Sequence, residues 1–121
     1  MHLELDWTAE ITRGGVTVMQ QDCQITVDCL IDCQSLVEWN VLGFRFEERF
    51  TTYEAVETSD GKTLQPVAKT AYVTIDNATD PALFHLLRAD LYFGDAAKKF
   101  EARICDELLA EGHISAFQVA A

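Results

Sequence analysis

The chain has 121 residues and a mass of 13.6 kDa; 20 acidic against 9 basic residues give a formal charge of −11 and a pI near 4.4. That length fits one domain, residues 1–121, and a hydrophobic fraction of 49% against 24% charged is too apolar for a disordered acidic tail. The acidity argues against direct binding of nucleic acid or anionic lipid, whose phosphates its field repels, and no apolar run approaches the ~20 residues of a membrane-spanning helix.

The charge is unevenly spread. Residues 1–60 hold 12 acids and 3 bases (Arg13, Arg45, Arg49), whereas residues 61–121 hold 8 acids and 6 bases. The first half is therefore the acidic half, a property of the surface rather than of the fold.

Residues 2–12 alternate. Leu3, Leu5, Trp7, Ala9 and Ile11 fall on one face, with His2, Glu4, Asp6, Thr8, Glu10 and Thr12 on the other, which predicts a half-buried strand. Arg13-Gly14-Gly15 supplies the positive-φ residues of a tight hairpin turn, and Val16-Thr17-Val18 opens the return strand. Past Gln20-Gln21 the parity flips, predicting a bulge or a short break. Cys23, Ile25, Val27, Cys29, Ile31 and Cys33 then share a face opposite Asp22, Gln24, Thr26, Asp28, Asp32 and Gln34. A third run from Leu36 to Phe50 alternates through Val37, Trp39 and Val41 and changes parity near Leu42-Gly43, where a second bulge is predicted. Ser59-Asp60-Gly61-Lys62 predicts a turn between Tyr53–Thr58 and Thr63–Leu64. Pro66 assigns the residues after it to an edge or a loop, and Ala71–Ile75 is one more short strand.

The last third changes period. Asp80-Pro81 is an N-cap followed by proline at the first helical position, with Leu83, Leu86, Leu87 and Leu91 at helical spacing. Gly94 ends that helix, and Asp95 is the expected cap of the next. There Ala97, Phe100, Ile104 and Leu108 form an apolar stripe that Gly112 terminates. Strands first and helices afterwards predict an α+β fold: an antiparallel meander of about five strands over residues 2–76, covered on one face by helices over 81–92 and 96–111.

The four cysteines invite a metal or disulfide reading. In one strand Cys23 and Cys29 would lie ~20 Å apart and Cys29 and Cys33 ~13 Å, beyond the ~7 Å a disulfide spans. A turn at Ile31–Asp32 would bring Cys29 and Cys33 closer. No C-x-x-C spacing supports zinc, so small apolar core fillers are the expected role. The N-terminal residues lack the basic flank and apolar stretch of a signal peptide, which leads us to expect a reducing, cytoplasmic setting. Asn77-Ala78-Thr79 matches a glycosylation acceptor but in that setting is only an N-cap region.

His85 sits between Phe84 and Leu86, and His113 comes directly after Gly112, where a histidine serves as a partner of the helix dipole more often than as a base. No G-x-S-x-G, H-E-x-x-H or glycine-rich phosphate loop occurs. Glu47-Glu48 and Asp106-Glu107 are adjacent in sequence and point to different sides. We expect no catalytic residues, no metal and no cofactor.

The polar face of the first two strands carries the strongest functional hint. Glu4, Asp6, Glu10, Asp22, Asp28 and Asp32 project from it, and carboxylates two residues apart repeat at ~6.6 Å, comparable to successive phosphates along a nucleic-acid strand. Such a surface suits docking onto Lys/Arg clusters of a nucleic-acid-binding protein; its plainer role is a solvated face that keeps an exposed sheet from aggregating. Trp39, beside Glu38 and Asn40, is a candidate anchor for a partner, as is Phe44-Arg45-Phe46, although inward parity suits core packing equally.

The leading expectation is a non-catalytic acidic interaction protein, an inhibitor that covers the basic nucleic-acid-binding surface of a larger partner. In size, acidity and absence of catalytic motifs the chain resembles, in general character only, the proteins phages deploy against host defences, including anti-CRISPR proteins and DNA mimics, and toxin-neutralising immunity proteins. The alternative is a structural, assembly or secretion-chaperone-like protein acting as a homo-oligomer; a homodimer suits either role. A small hydrolase or metal enzyme without a recognisable motif is the third reading.

Overall fold

The structure, a computed structural model, describes residues 1–115, so the last six residues of the expected domain lie outside it. Its elements are β1 (His2–Arg13), β2 (Val16–Asp32), β3 (Ser35–Thr58), β4 (Gly61–Ile75), α1 (Pro81–Phe93) and α2 (Ala97–Ala110). The strands form one antiparallel sheet in the order β1-β2-β3-β4. The fold is α+β, with four strands where about five were expected.

The difference has a simple origin. Leu36–Phe50 and Tyr53–Thr58 are one strand, β3, and Thr63–Leu64 and Ala71–Ile75 are one strand, β4, because their ladder runs unbroken from Phe44↔Ile75 to Thr58↔Gly61. Pro66 does not interrupt it: β4 is paired on one side only, and an edge strand tolerates a residue without an N–H donor.

The turns and bulges obey local chemistry. Gly14 (φ 57) and Gly15 (φ 78) make the β1–β2 turn. The bulge expected past Gln20 lies at Val18, between the pairs Ile11↔Met19 and Thr12↔Thr17. The one near Gly43 lies at Leu42, between Thr26↔Gly43 and Val27↔Val41. The β2–β3 turn is made by Cys33 (φ 49) and Gln34 (φ 60), two non-glycine residues in the left-handed region. Cys33 therefore leaves the inward row to which alternation assigns it and is exposed.

Asp80 caps α1, accepting a hydrogen bond from the Leu83 N–H at 3.1 Å, with Pro81 at the first position. Asp95 does not cap α2: the N-cap is Ala96, without a side-chain bond. Gly112 (φ 77) ends α2, where the N–H groups of Gly112 and His113 donate to Leu109 and Leu108.

Both helices pack on the inner face. Leu5, Ile25, Val27, Val41 and Phe44 from the sheet meet Phe84, Leu87 and Leu91 of α1 and Phe100, Ile104 and Leu108 of α2. Phe100 stands edge-on to Trp7 (5.1 Å) and Trp39 (5.4 Å), while Trp39 stacks on Tyr92 at 4.4 Å. Such pairs add roughly 0.5–1.5 kcal/mol each beyond their buried area.

Candidate interaction surface

The period of two that buries Leu3, Leu5, Cys23, Ile25 and Val27 sends their neighbours to the opposite, helix-free face. Glu4, Asp6, Glu10, Asp22, Asp28 and Asp32 are all exposed and share that outer parity. The register keeps them from facing one another: Glu4 lies opposite Thr26, Asp6 opposite Gln24, Thr8 opposite Asp22 and Glu10 opposite Gln20. Directly opposed like charges would destabilise the ladder, whereas the diagonal spacing of Asp6 and Asp22, roughly 7–8 Å, holds both charges in water at little cost.

Several of these carboxylates are held in place. Asp22 accepts from the Thr8 hydroxyl at 2.7 Å, and Glu10 from the Thr17 hydroxyl at 2.9 Å. Asp28 lies 3.4 Å from the Met1 ammonium, which offsets its charge, and 3.8 Å from His2 Nε2. Asp32 sits at the far end of β2 beside the Cys33 thiol (3.5 Å). Asp6, Asp22, Gln24, Arg45, Glu47 and Tyr72 ring a shallow depression, in which the Arg45 guanidinium lies 4.0 Å above the Tyr72 ring.

Trp39 is not on this face. A further β3 bulge lies at Val37, so only Glu38–Val41 take the opposite parity: the Trp39 indole turns inward against Tyr92 and Phe100, whereas Val37, expected to share its face, is exposed and Leu36 is buried in its place. Phe44 and Phe46 are likewise buried in the core. Tyr72, at the rim of that depression, reaches solvent, and the other exposed aromatic residues of the sheet lie farther along β3. β2 pairs with β3 only between Cys23↔Phe46 and Asp32↔Ser35, so residues 47–58 of β3 pair with β4 alone. This two-stranded arm exposes Phe50 and Val56 on one face and Tyr53 (68%), Leu64 (67%) and Tyr72 on the other. Sequence patterning missed it because the arm alternates like any half-buried strand; what distinguishes it is the absence of a covering layer.

The three buried thiols are chemically quiet. Burial pushes Cys23 and Cys29 up to about 11 and raises Cys105 as well, so these three remain protonated at neutral pH. Among the described residues no three His, Cys, Asp or Glu side chains converge as metal ligands. In a groove between β1 and the α1–α2 junction, burial raises the pKa of Asp90, with Asp95 and Glu10 adding to the effect. The Thr79 and Ala78 amides and the Thr79 hydroxyl lower that of Asp76, in the turn joining β4 to α1. Among the described residues no helix is long and apolar enough to cross a membrane.

No protein-family model matches this chain, and neither a curated protein nor a solved structure is significantly similar to it.

Proposed function

We propose that this protein is a non-catalytic interaction protein whose acidic outer sheet face docks onto a basic, nucleic-acid-binding surface of a larger partner and so inhibits it. The observation that supports this reading is the common, helix-free exposure of Glu4, Asp6, Glu10, Asp22, Asp28 and Asp32 at strand spacing. Glu4 and Asp6 stand ~6.6 Å apart along β1, comparable to successive phosphates, and Asp6–Glu10 and Asp28–Asp32 stand ~13 Å apart, about twice that, so the face offers a basic cleft charges at multiples of the phosphate spacing. Complementary fields of this kind accelerate association and make it salt-sensitive.

The test is capture of nucleic-acid-binding proteins from lysate of the source cell or its host on the immobilised chain, at low and high salt. The expected partner elutes as salt rises and is displaced by duplex DNA. Reversing charge at Asp6, Glu10, Asp28 and Asp32 weakens capture at least tenfold, about 1.4 kcal/mol, while circular dichroism stays unchanged. Equal capture by the folded quadruple variant sinks the proposal. A second reading, a structural protein acting as a homo-oligomer, is favoured by the apolar residues on both faces of the β3–β4 arm, since an isolated two-stranded hairpin is marginal in water.

A further inference from the structure

The outer face of the β3–β4 arm interrupts the acidic pattern of the sheet. The paired rows Thr51↔Ala68, Tyr53↔Pro66 and Ala55↔Leu64 share that face and are all uncharged and exposed. The rows that bound them, Arg49↔Thr70 and Glu57↔Lys62, carry charge. We propose that this patch is the contact of a two-fold dimer, in which the outer faces of two arms stack on each other with their strands reversed in direction.

Charge and shape both select a second copy. Arg49 and Glu57 stand at equal distances on either side of Tyr53, about 13 Å each way at strand spacing. Consider a two-fold axis that lies between the stacked arms and crosses the strands at the Tyr53↔Pro66 row. It keeps β3 over β3 and β4 over β4, and it sets Arg49 of each copy over Glu57 of the other, so the contact is made twice. Arg49 also meets Glu47 at 3.3 Å, but that pair is exposed, and the several donors of a guanidinium leave room for a second carboxylate. Under the same axis Leu64 lies over Ala68 of the other copy and Thr51 over Ala55, so a larger side chain meets a smaller one in each row. Tyr53 meets its own symmetry mate, an aromatic pair at the centre of the patch.

The net charge of −11 decides the orientation. Two such chains repel unless they meet where charge is absent or balanced. The crossing axis sends the two bodies to opposite ends of the stack, which keeps Glu4, Asp6 and Asp22 of one copy clear of those of the other. An axis along the strands would instead lay one acidic face over the other. From Glu47 to Thr58 the arm is about 40 Å long and roughly 10 Å wide, so stacking covers on the order of 1,000 Å² in the pair, at the lower bound of specific interfaces. The dimer is therefore reversible. Only one face of the arm is covered; Phe50 and Val56 on the other stay open.

Sedimentation velocity on the full chain, from micromolar to near-millimolar concentration, tests this. The expected transition is from the 13.6 kDa monomer to a dimer and no further, because a two-fold contact is closed. Arg49→Glu alone and Glu57→Arg alone each place like charges at both contacts and are expected to weaken association at least about tenfold. Mixed in equal amounts, the two variants are expected to associate again, since each supplies the charges the other lacks. Both positions are exposed, and circular dichroism and the unfolding midpoint establish that each variant is folded. A wild-type chain that stays monomeric throughout, a dimer indifferent to either substitution, a mixture that stays monomeric, or growth beyond the dimer overturns the proposal. The inference does not rest on the docking reading: association is measured without a partner, and a chain that stays monomeric can still capture a basic protein.

Discussion

Replacing Tyr92 with phenylalanine removes one oxygen and isolates a single structural function. β4 begins to pair with β3 only at Phe44↔Ile75, which leaves the first half of β3 without a ladder partner on that side. The Tyr92 hydroxyl takes the place of that partner. It accepts from the Val41 N–H at 3.0 Å and can donate to the Trp39 carbonyl or Asn40 Oδ1, each at 3.3 Å. Val41 is 1% exposed, so no water replaces the lost acceptor. An unsatisfied buried donor costs about 1–3 kcal/mol, whereas the phenyl ring retains the stack on Trp39. For a domain of this size that corresponds to a fall in Tm of roughly 4–12 °C. Urea unfolding followed by fluorescence measures it directly: the midpoint falls and the slope m is unchanged, because no additional surface is exposed. Arg88 donates to Asn40 Oδ1 at 2.7 Å and lies 4.4 Å above the Tyr92 ring, so Arg88→Ala and Tyr92→Phe should be non-additive in a double-mutant cycle. A Tyr92→Phe loss below about 0.5 kcal/mol, the range of an ordinary surface substitution, refutes the latch.

Two further predictions concern ionisable groups. In the folded chain Cys33 alone should react rapidly with a disulfide reagent, because Cys23, Cys29 and Cys105 are buried with raised pKa values; a second fast thiol in a native-state titration would contradict this. Asp90 has a raised folded pKa, so its ionised form disfavours the fold at neutral pH, and that cost fades as pH falls through the raised value toward the ordinary one near 4. Asp90→Asn should therefore raise the thermal midpoint at pH 7 and have little effect below about pH 4, as melting curves across that range would show.

How much of this was legible in the sequence depended on whether a residue's environment is local. The β1 alternation, the Gly14-Gly15 turn and the Asp80-Pro81 helix start are set by neighbours a few residues away, and they lie where the pattern put them. The parity changes at Val18 and Leu42 were visible to within two or three residues, because a bulge inverts every side chain beyond it. The Cys33-Gln34 turn left no signal, since neither residue is a glycine or asparagine; the Gln34 carbonyl is held from afar by the Ser115 N–H. Trp39 had the right parity for the core and the wrong neighbours in sequence, and only the approach of Tyr92 and Phe100 explains why it is inside. The acidic face was legible because it needs only parity. The exposed arm was not, because exposure there reflects a missing layer.

That missing layer results from a mismatch of lengths. Helices of 13 and 14 residues span about 20 Å, while the 24 residues of β3 reach about 80 Å. The helices can cover only the part of the sheet near Leu5, Ile25, Val41 and Phe44, and the distal half of β3–β4 must be stabilised by its own cross-strand pairs or by a neighbour. Its own pairs are modest: Phe50 faces Lys69, Tyr53 faces Pro66, and the Glu54–Lys69 ion pair at 3.0 Å is solvent-exposed and worth well under 1 kcal/mol. An isolated two-stranded ribbon is marginal in water, so the arm is the least stable part of the sheet. Amide exchange is the observable that separates the two regions. Protection should be highest at Val27 and Val41 beneath the helices and lowest in Thr51–Thr58 and Gly61–Ala68, and equal protection along all of β3 would refute the length argument.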